Sequence, residues 1–238
     1  MGNPVAVVPR NVSFIEELKT PKTNAMIEVL RDLRCQPRNI LVVGCGSGLE
    51  AGVFARAFGA HTIGIDIVTE FTFDDAGSAP AQLMQMDARA LSFADHAFDL
   101  VYSFHALEHI PGPVDALREM SRVLQPGGRF LIGTPNKSRL LGYFAAAHPL
   151  SERIMMNLND IGMRLRGRWS NEAGAHAGFT SGELTGLCRN AFGTGQDISE
   201  EYYTSLYRSK ASLVKQVCRP GVRNAILPCV YVSGTKQA

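Results

Sequence analysis

Residues 40–51 read ILVVGCGSGLEA: an apolar β-type run breaks into Gly44-x-Gly46-x-Gly48 and resumes as a helical pattern. Glycine suits such a junction because the chain must turn sharply and let a ligand approach the backbone, leaving amides at a helix N-terminus to hydrogen-bond it. Working outward, Asn39–Val43 is the first strand, and Leu49–Phe58 is a helix with Val53, Phe54, Ala57 and Phe58 on its apolar side. His61–Ile65 is a second strand closed by Asp66, Gln82–Met86 a third ending at Asp87, and Phe98–Ser103 a fourth. Pro111-Gly112-Pro113 opens a helix to Leu124 with Val114, Leu117, Met120, Ser121 and Leu124 in one stripe. The turn Gln125–Gly128 then releases a fifth strand, Arg129–Gly133. Strands alternating with helices predict an α/β fold with a doubly wound, mostly parallel sheet covered on both faces.

Beyond the fifth strand the rhythm breaks. Residues 137–175 predict a helical insertion over the ligand edge of the sheet. Its apolar face comprises Ile154, Met155, Leu158, Ile161, Met163 and Leu165, with Arg153, Arg164, Arg166 and Arg168 around it. Thr180-Ser181-Gly182-Glu183 has the form of a capping box before a helix to Ala191, and Ala225–Ser233 closes the sheet. Asn24–Leu33 is a helix packed on the sheet. The chain thus divides into an N-terminal helical segment (1–38), a cofactor-binding core (39–136), the insertion or lid (137–175) and the C-terminal part of the sheet (176–238), all within a single domain.

Composition narrows the function classes. At 238 residues with 45% hydrophobic and 19% charged side chains, the chain can bury a core and is no disordered tail. A net charge of +2 gives no long-range reason to expect a nucleic-acid partner. Residues 1–136 hold 11 basic and 15 acidic side chains, while 137–238 hold 13 and 7, so an anionic or polar ligand belongs with the second half, unless those cations are a solvated surface. Five cysteines without a Cys-x-x-Cys pair predict neither a disulfide framework nor a zinc knuckle, so no metal is expected and the chain reads as cytoplasmic and reduced. No apolar run approaches the ~18 residues of a membrane span. The stretch Arg208–Arg223 carries five cations and no acid, which suits either an acidic partner or solvent.

The glycine spacing discriminates among ligands. A dinucleotide fingerprint needs glycine where Leu49 stands, so nicotinamide and flavin readings drop. Asp66, at the carboxyl end of the second strand, can accept both hydroxyls of a ribose, and Asp87 can accept from the amine of an adenine. Taken singly, each is equally a loop or capping residue.

These pieces together resemble the cofactor half of class I S-adenosylmethionine-dependent methyltransferases, in the subgroup acting on small molecules and similar to the ubiquinone and menaquinone enzymes. The matching stretches are VVGCGSG, GIDI, MDARALSFADHAFDLVYSFHALEHI and LREMSRVLQPGGRFLIGTPN within residues 40–135, and more weakly GAHAGFTSGELTGLCRNAFG up to about 193. The resemblance implies a Rossmann-like methyltransferase fold with S-adenosylmethionine as cofactor and S-adenosylhomocysteine as product. It also implies that Gly44, Cys45, Gly46, Ser47 and Gly48 wrap the methionine portion and Asp66 holds the ribose. Ile67 then packs on adenine, Asp87 and Ala88 read its edge, and Ser103, Phe104 and His105 line the sulfonium end. Val42 stands where the family has an acid in the first strand, which implies a weaker hold on the cofactor's amine. Glu70–Pro80 is poor in helical pattern, so the second sheet-covering helix is expected to be short.

Methyl transfer from a sulfonium is an in-line displacement that asks for alignment and exclusion of water, with a base where the acceptor is a neutral hydroxyl. His109, beside Glu108, and His176 are the candidate bases, and each also has a structural reading: anchoring a loop through Glu108, or capping the helix after Phe179. His61, His96 and His148 read as structural. Tyr143, Phe144, Met155, Met156 and Trp169 are either core or the wall of an acceptor pocket. Arg139, Arg164, Arg166 and Arg168 can bind an acidic group on the acceptor. The expected activity is methylation of a small, apolar acceptor bearing an acidic group, at oxygen rather than nitrogen or carbon. The competing expectation is a catalytically inactive cofactor-binding protein that serves as a partner or regulator.

Overall fold

The computed structural model describes residues 12–68, 71–72, 81–140, 142–143, 149–219 and 221–238. Phe144, His148 and all of Glu70–Pro80 except Phe71 and Thr72 lie outside them. The described elements are α1 (Val12–Asp32), β1 (Asn39–Val43), α2 (Leu49–Phe58), β2 (His61–Asp66), β3 (Gln82–Gln85), β4 (Phe98–Phe104), α3 (Pro113–Val123) and β5 (Leu124–Pro135). They continue with α4 (Leu150–Leu165), α5 (Ser181–Phe192), β6 (Gln196–Asp197), α6 (Ser199–Leu206), α7 (Ala211–Val217), α8 (Arg223–Ile226) and β7 (Cys229–Thr235).

The strands form one sheet in the order β3-β2-β1-β4-β5-β7-β6. The first five are parallel, and β7 runs antiparallel to both β5 and β6. The strand order reverses between β1 and β4, so a crevice opens at their carboxyl ends, where open α/β sheets bind ligands. The period-two alternation of β1 splits its side chains between two cores. Ile40 and Val42 pack with Met26, Leu30, Phe54 and Tyr202 on one face, and Leu41 and Val43 with Leu117, Met120, Leu184 and Phe192 on the other. Tight turns hold the register: the N–H groups of Gly44 and Cys45 both donate to the Ile65 carbonyl, at 2.8 and 3.0 Å.

Several boundaries differ from the sequence reading. The Pro-Gly-Gly expected as a turn lies inside β5, which begins at Leu124, because the C-terminus pairs with it: Gly127 N–H donates to Lys236 O and Lys236 N–H to Gly128 O. The closing strand starts at Cys229, since Ala225 and Ile226 belong to α8. Two unanticipated helices, α6 and α7, cover the β7 side of the sheet.

Helix α4 has its faces reversed relative to expectation. Its polar side is anchored: Asp160, 6% exposed, pairs with Arg139 at 3.2 Å, and Asn157 Oδ1 accepts from Gly142 N–H at 2.7 Å. The apolar residues Leu150, Ile154, Met155, Leu158 and Leu165 are exposed instead. Among the described residues no helix is long and apolar enough to cross a membrane.

Candidate active site

Two cavities meet at the carboxyl ends of β1 and β4. The smaller, about 310 Å³, lies between the β1–α2 turn and the ends of β2 and β3, with Gly44, Asp66, Ile67, Asp87, Ala88 and His105 among its walls. The larger, about 680 Å³, lies between the β5–β7 edge and helices α6 to α8, walled mainly by apolar and aromatic side chains that include Phe104, Tyr202, Tyr203, Leu213 and Tyr231. His105 and His109 border both.

In the glycine loop, Gly44 sits at φ +74 with Ala106 so close that a Cβ would meet its Cβ at 2.2 Å. Gly46, at φ +53, faces open space within 4 Å. Asp66 fixes this loop by accepting from the Gly46 N–H through Oδ2 at 2.8 Å, while Oδ1 accepts from Val68 N–H at 3.2 Å. Ile67 is 63% exposed beside it, an apolar surface left open among the described residues. Cys45 contributes only backbone, its side chain being buried and its thiol pushed up to about 12 by burial and the neighbouring Asp66. Ser47 and Gly48 complete the turn: Ser47 O accepts from Thr72 N–H and Gly48 N–H donates to Cys45 O.

Three expected residues lie differently from their expected arrangement. The Asp87 carboxylate is gripped by the Arg89 guanidinium at 2.6 Å, whose hydrogen bonds lower it from 3.8 to about 2. Ser103, expected at the sulfonium end, is fully buried between β1 and β5; its Oγ has no partner among the described residues and it borders neither cavity. Val42 is buried, and the carboxylate on that face is Glu50, whose Oε1 accepts from Tyr102 Oη at 3.2 Å.

The structure brings the two candidate bases together. His109 lies in the 3₁₀ turn Leu107–His109, and His176 in the loop before α5; their rings meet edge to face with centroids 4.6 Å apart. That loop is pinned by Asn171, which accepts from Gly178 N–H at 2.8 Å and donates to Gly178 O at 3.1 Å. His176 does not cap α5, because Thr180 and Glu183 form the capping box themselves. Glu108, its side chain 1% exposed, places Oε1 3.2 Å from His105 Nδ1 and 3.8 Å from His109 Nε2.

The expected acceptor arginines have other partners. Arg139 pairs with Asp160, Arg164 donates to the carbonyls of Lys137 and Arg139 while lying 4.0 Å above the Trp169 ring, and Arg166 and Arg168 are exposed away from both cavities. The cations at the rim of the larger cavity that remain without an ionic partner among the described residues are Lys22 and Lys210. Of the expected apolar wall, Tyr143 and Met156 border that cavity, Met155 points outward and Trp169 donates to Lys137 O.

Residues 41–132 match the family model described as a methyltransferase domain. That match spans less than half of the chain and likens its glycine-loop half to such domains. The ubiquinone biosynthesis O-methyltransferase of Aeromonas salmonicida is 26% identical to this chain over 183 residues, covering 72% of this chain and 76% of that enzyme. The chloroplastic tocopherol O-methyltransferase of Arabidopsis thaliana is 33% identical over 125 residues, covering 50% of this chain and 36% of the other. A protein in a Streptomyces fradiae transposon is 31% identical over 140 residues, 55% of this chain and 41% of its own length. The chain therefore spans less than half of two of these three relatives. In fold it is similar to the plantazolicin methyltransferase BpumL solved with S-adenosylhomocysteine, with a TM-score of 0.61 at 14% identity over 96% of this chain and 87% of that one.

Proposed function

We propose that this chain moves a methyl group from S-adenosylmethionine to a hydroxyl of an apolar, aromatic acceptor lying in the larger cavity. One observation carries the reading: the two cavities share His105 and His109, so a donor in one and an acceptor in the other meet beside imidazoles. When bound, S-adenosylmethionine supplies an electrophilic methyl group. The residues present suit it: Gly46 leaves room at the backbone, Asp66 offers carboxylate lone pairs toward ribose hydroxyls, Ile67 gives a flat apolar contact for adenine, and Asp87 and Ala88 lie at the edge of that site. Asp87 serves there once it shares or releases Arg89. The chain is read as a single methyltransferase domain, with α4 and the loop to α5 as its lid.

On the acceptor side, His109 takes the hydroxyl proton as the oxygen attacks. The buried Glu108 carboxylate behind it stabilises the resulting imidazolium, and His176 fixes the ring's orientation. Phe104 and the tyrosines of α6 and β7 exclude water. Lys22 and Lys210 at the rim suit an acidic group on the acceptor. Oxygen as the acceptor atom is supported by the O-methyltransferases among the relatives.

Titration calorimetry with S-adenosylmethionine and S-adenosylhomocysteine, followed by turnover on a panel of catechols and other phenols, tests the proposal. Asp66→Ala is expected to weaken donor binding at least tenfold. His109→Gln is expected to leave donor binding intact and cut turnover by roughly 10²–10⁴. Donor binding without turnover on any acceptor supports the regulator instead.

A further inference from the structure

A third imidazole contact lies at the doorway between the cavities, outside the base assignment above. Cys229, at the start of β7, places Sγ 3.4 Å from His105 Nε2. The opposite nitrogen, Nδ1, meets Glu108 Oε1 at 3.2 Å. Glu108 is buried, and its second oxygen, Oε2, has no partner among the described residues. Thiol, imidazole and carboxylate thus stand in a line whose sulfur end opens into the larger cavity.

We propose that Cys229 is a reactive cysteine, paired through its sulfur with the His105 imidazole, and that its oxidation by hydrogen peroxide closes the acceptor cavity. A thiolate beside an imidazolium is the nucleophilic form of cysteine, and a buried carboxylate on the far nitrogen keeps the imidazole charged. Burial alone would lower His105, but the Cys229 sulfur and Glu108 outweigh it and raise it from 6.5 to about 10. The other charged or titratable groups facing the pair are His109 from the 3₁₀ turn, Tyr202 and Tyr203 from α6, and Tyr231 from β7. Tyr203 also fixes the thiol's backbone, its Oη accepting from Cys229 N–H at 3.1 Å.

In the proposed step, the thiolate attacks one peroxide oxygen. The S–O bond forms as the O–O bond breaks, and the departing hydroxide takes the His105 proton and leaves as water. The sulfur gives two electrons to the peroxide and ends as sulfenic acid. The remaining cysteines are unsuited to this chemistry: burial pushes Cys35 up to about 11 and Cys45 and Cys188 up to about 12, and it raises Cys218 as well.

Iodoacetamide labelling followed by peptide mass mapping tests the reactivity of Cys229, whatever the methyl acceptor proves to be. At pH 7.5, Cys229 is expected to label at least tenfold faster than Cys35, whose thiol burial pushes up to about 11. His105→Asn is a suitable partner variant because His105 sits at φ +53, a conformation asparagine tolerates. In that variant the Cys229 labelling rate at the same pH should fall at least tenfold. Equal Cys229 labelling in the wild-type protein and in His105→Asn overturns the proposal. Hydrogen peroxide with dimedone should then tag Cys229. Turnover, which rests on the acceptor reading, should be lost with the tag, and peroxide should take from Cys229→Ser a much smaller fraction of that variant's own untreated turnover, whereas an equal fractional loss overturns the switch.

Discussion

Gly44 and Gly46 stand two residues apart in the same turn, both at positive φ, and they fail for different reasons when given a side chain. At Gly44 a methyl group meets Ala106 Cβ at 2.2 Å, so Gly44→Ala combines left-handed strain with overpacking, about 2–5 kcal/mol of stability together. At Gly46 an added Cβ meets nothing within 4 Å among the described residues, so Gly46→Ala costs only the backbone strain, about 1–2 kcal/mol. The proposed donor lies against this turn, and calorimetry is expected to show S-adenosylmethionine binding weakened at least tenfold while the protein still melts cooperatively. Unchanged binding would place the donor elsewhere. Asp87 offers a pH-dependent check beside it. Arg89 lowers its folded value to about 2 from 3.8, so the pair adds stability above 3.8 and loses it as pH falls through about 2. Arg89→Ala should return the Asp87 midpoint, followed by NMR titration, to the ordinary carboxylate range. The melting temperature at neutral pH should barely move, because the pair is solvent-exposed.

At the scale of elements, what was legible in the sequence was what local pattern alone decides. The alternation of β1, the glycines flanking α2 and the carboxylates ending β2 and β3 need no distant partner to be read, and each lies within a residue or two of its expected place. The Thr180–Glu183 box is equally local: Thr180 Oγ1 accepts from Glu183 N–H at 3.1 Å and Glu183 Oε2 from Thr180 N–H at 2.8 Å. Thr180→Ala is expected to lower stability by about 1 kcal/mol, read from the denaturation midpoint, and to loosen the loop that carries His176. Elements set by remote pairing were misread. Pro126-Gly127-Gly128 has turn composition, yet Lys236, more than a hundred residues on, draws it into β5. Helix α6 was missed because it is eight residues long and its buried side is made of Tyr202 and Tyr203, although Ser199-Glu200-Glu201 carries a helix-start signal. Helix α7 was obscured by the cations around it, although only Lys215 of the Arg208–Arg223 stretch lies within it. Leu213, Val214, Val217 and Cys218 nevertheless recur at helical spacing, and all but Cys218 border the larger cavity.

For the molecule as a whole, those missed helices matter most, because they wall the larger cavity. The sequence reading sought the acceptor pocket in residues 137–175, of whose described residues only Arg139, Tyr143 and Met156 border it; α6, α7 and the start of β7 supply much of the rest. The donor side is formed by consecutive turns of the parallel half of the sheet, whereas the acceptor side is assembled where the antiparallel strand β7 brings the C-terminal helices back against β5. This division predicts that the two sites can be altered separately. Leu213 is 55% exposed, borders only the larger cavity and lies on α7, so a bulkier side chain there fills acceptor space without displacing core. Leu213→Trp is expected to raise KM for long-chain alkyl catechols at least tenfold while leaving small catechols and S-adenosylmethionine affinity nearly unchanged. A uniform loss across all acceptors, or a matching loss of donor binding, would show that α7 supports the fold rather than shapes the acceptor space.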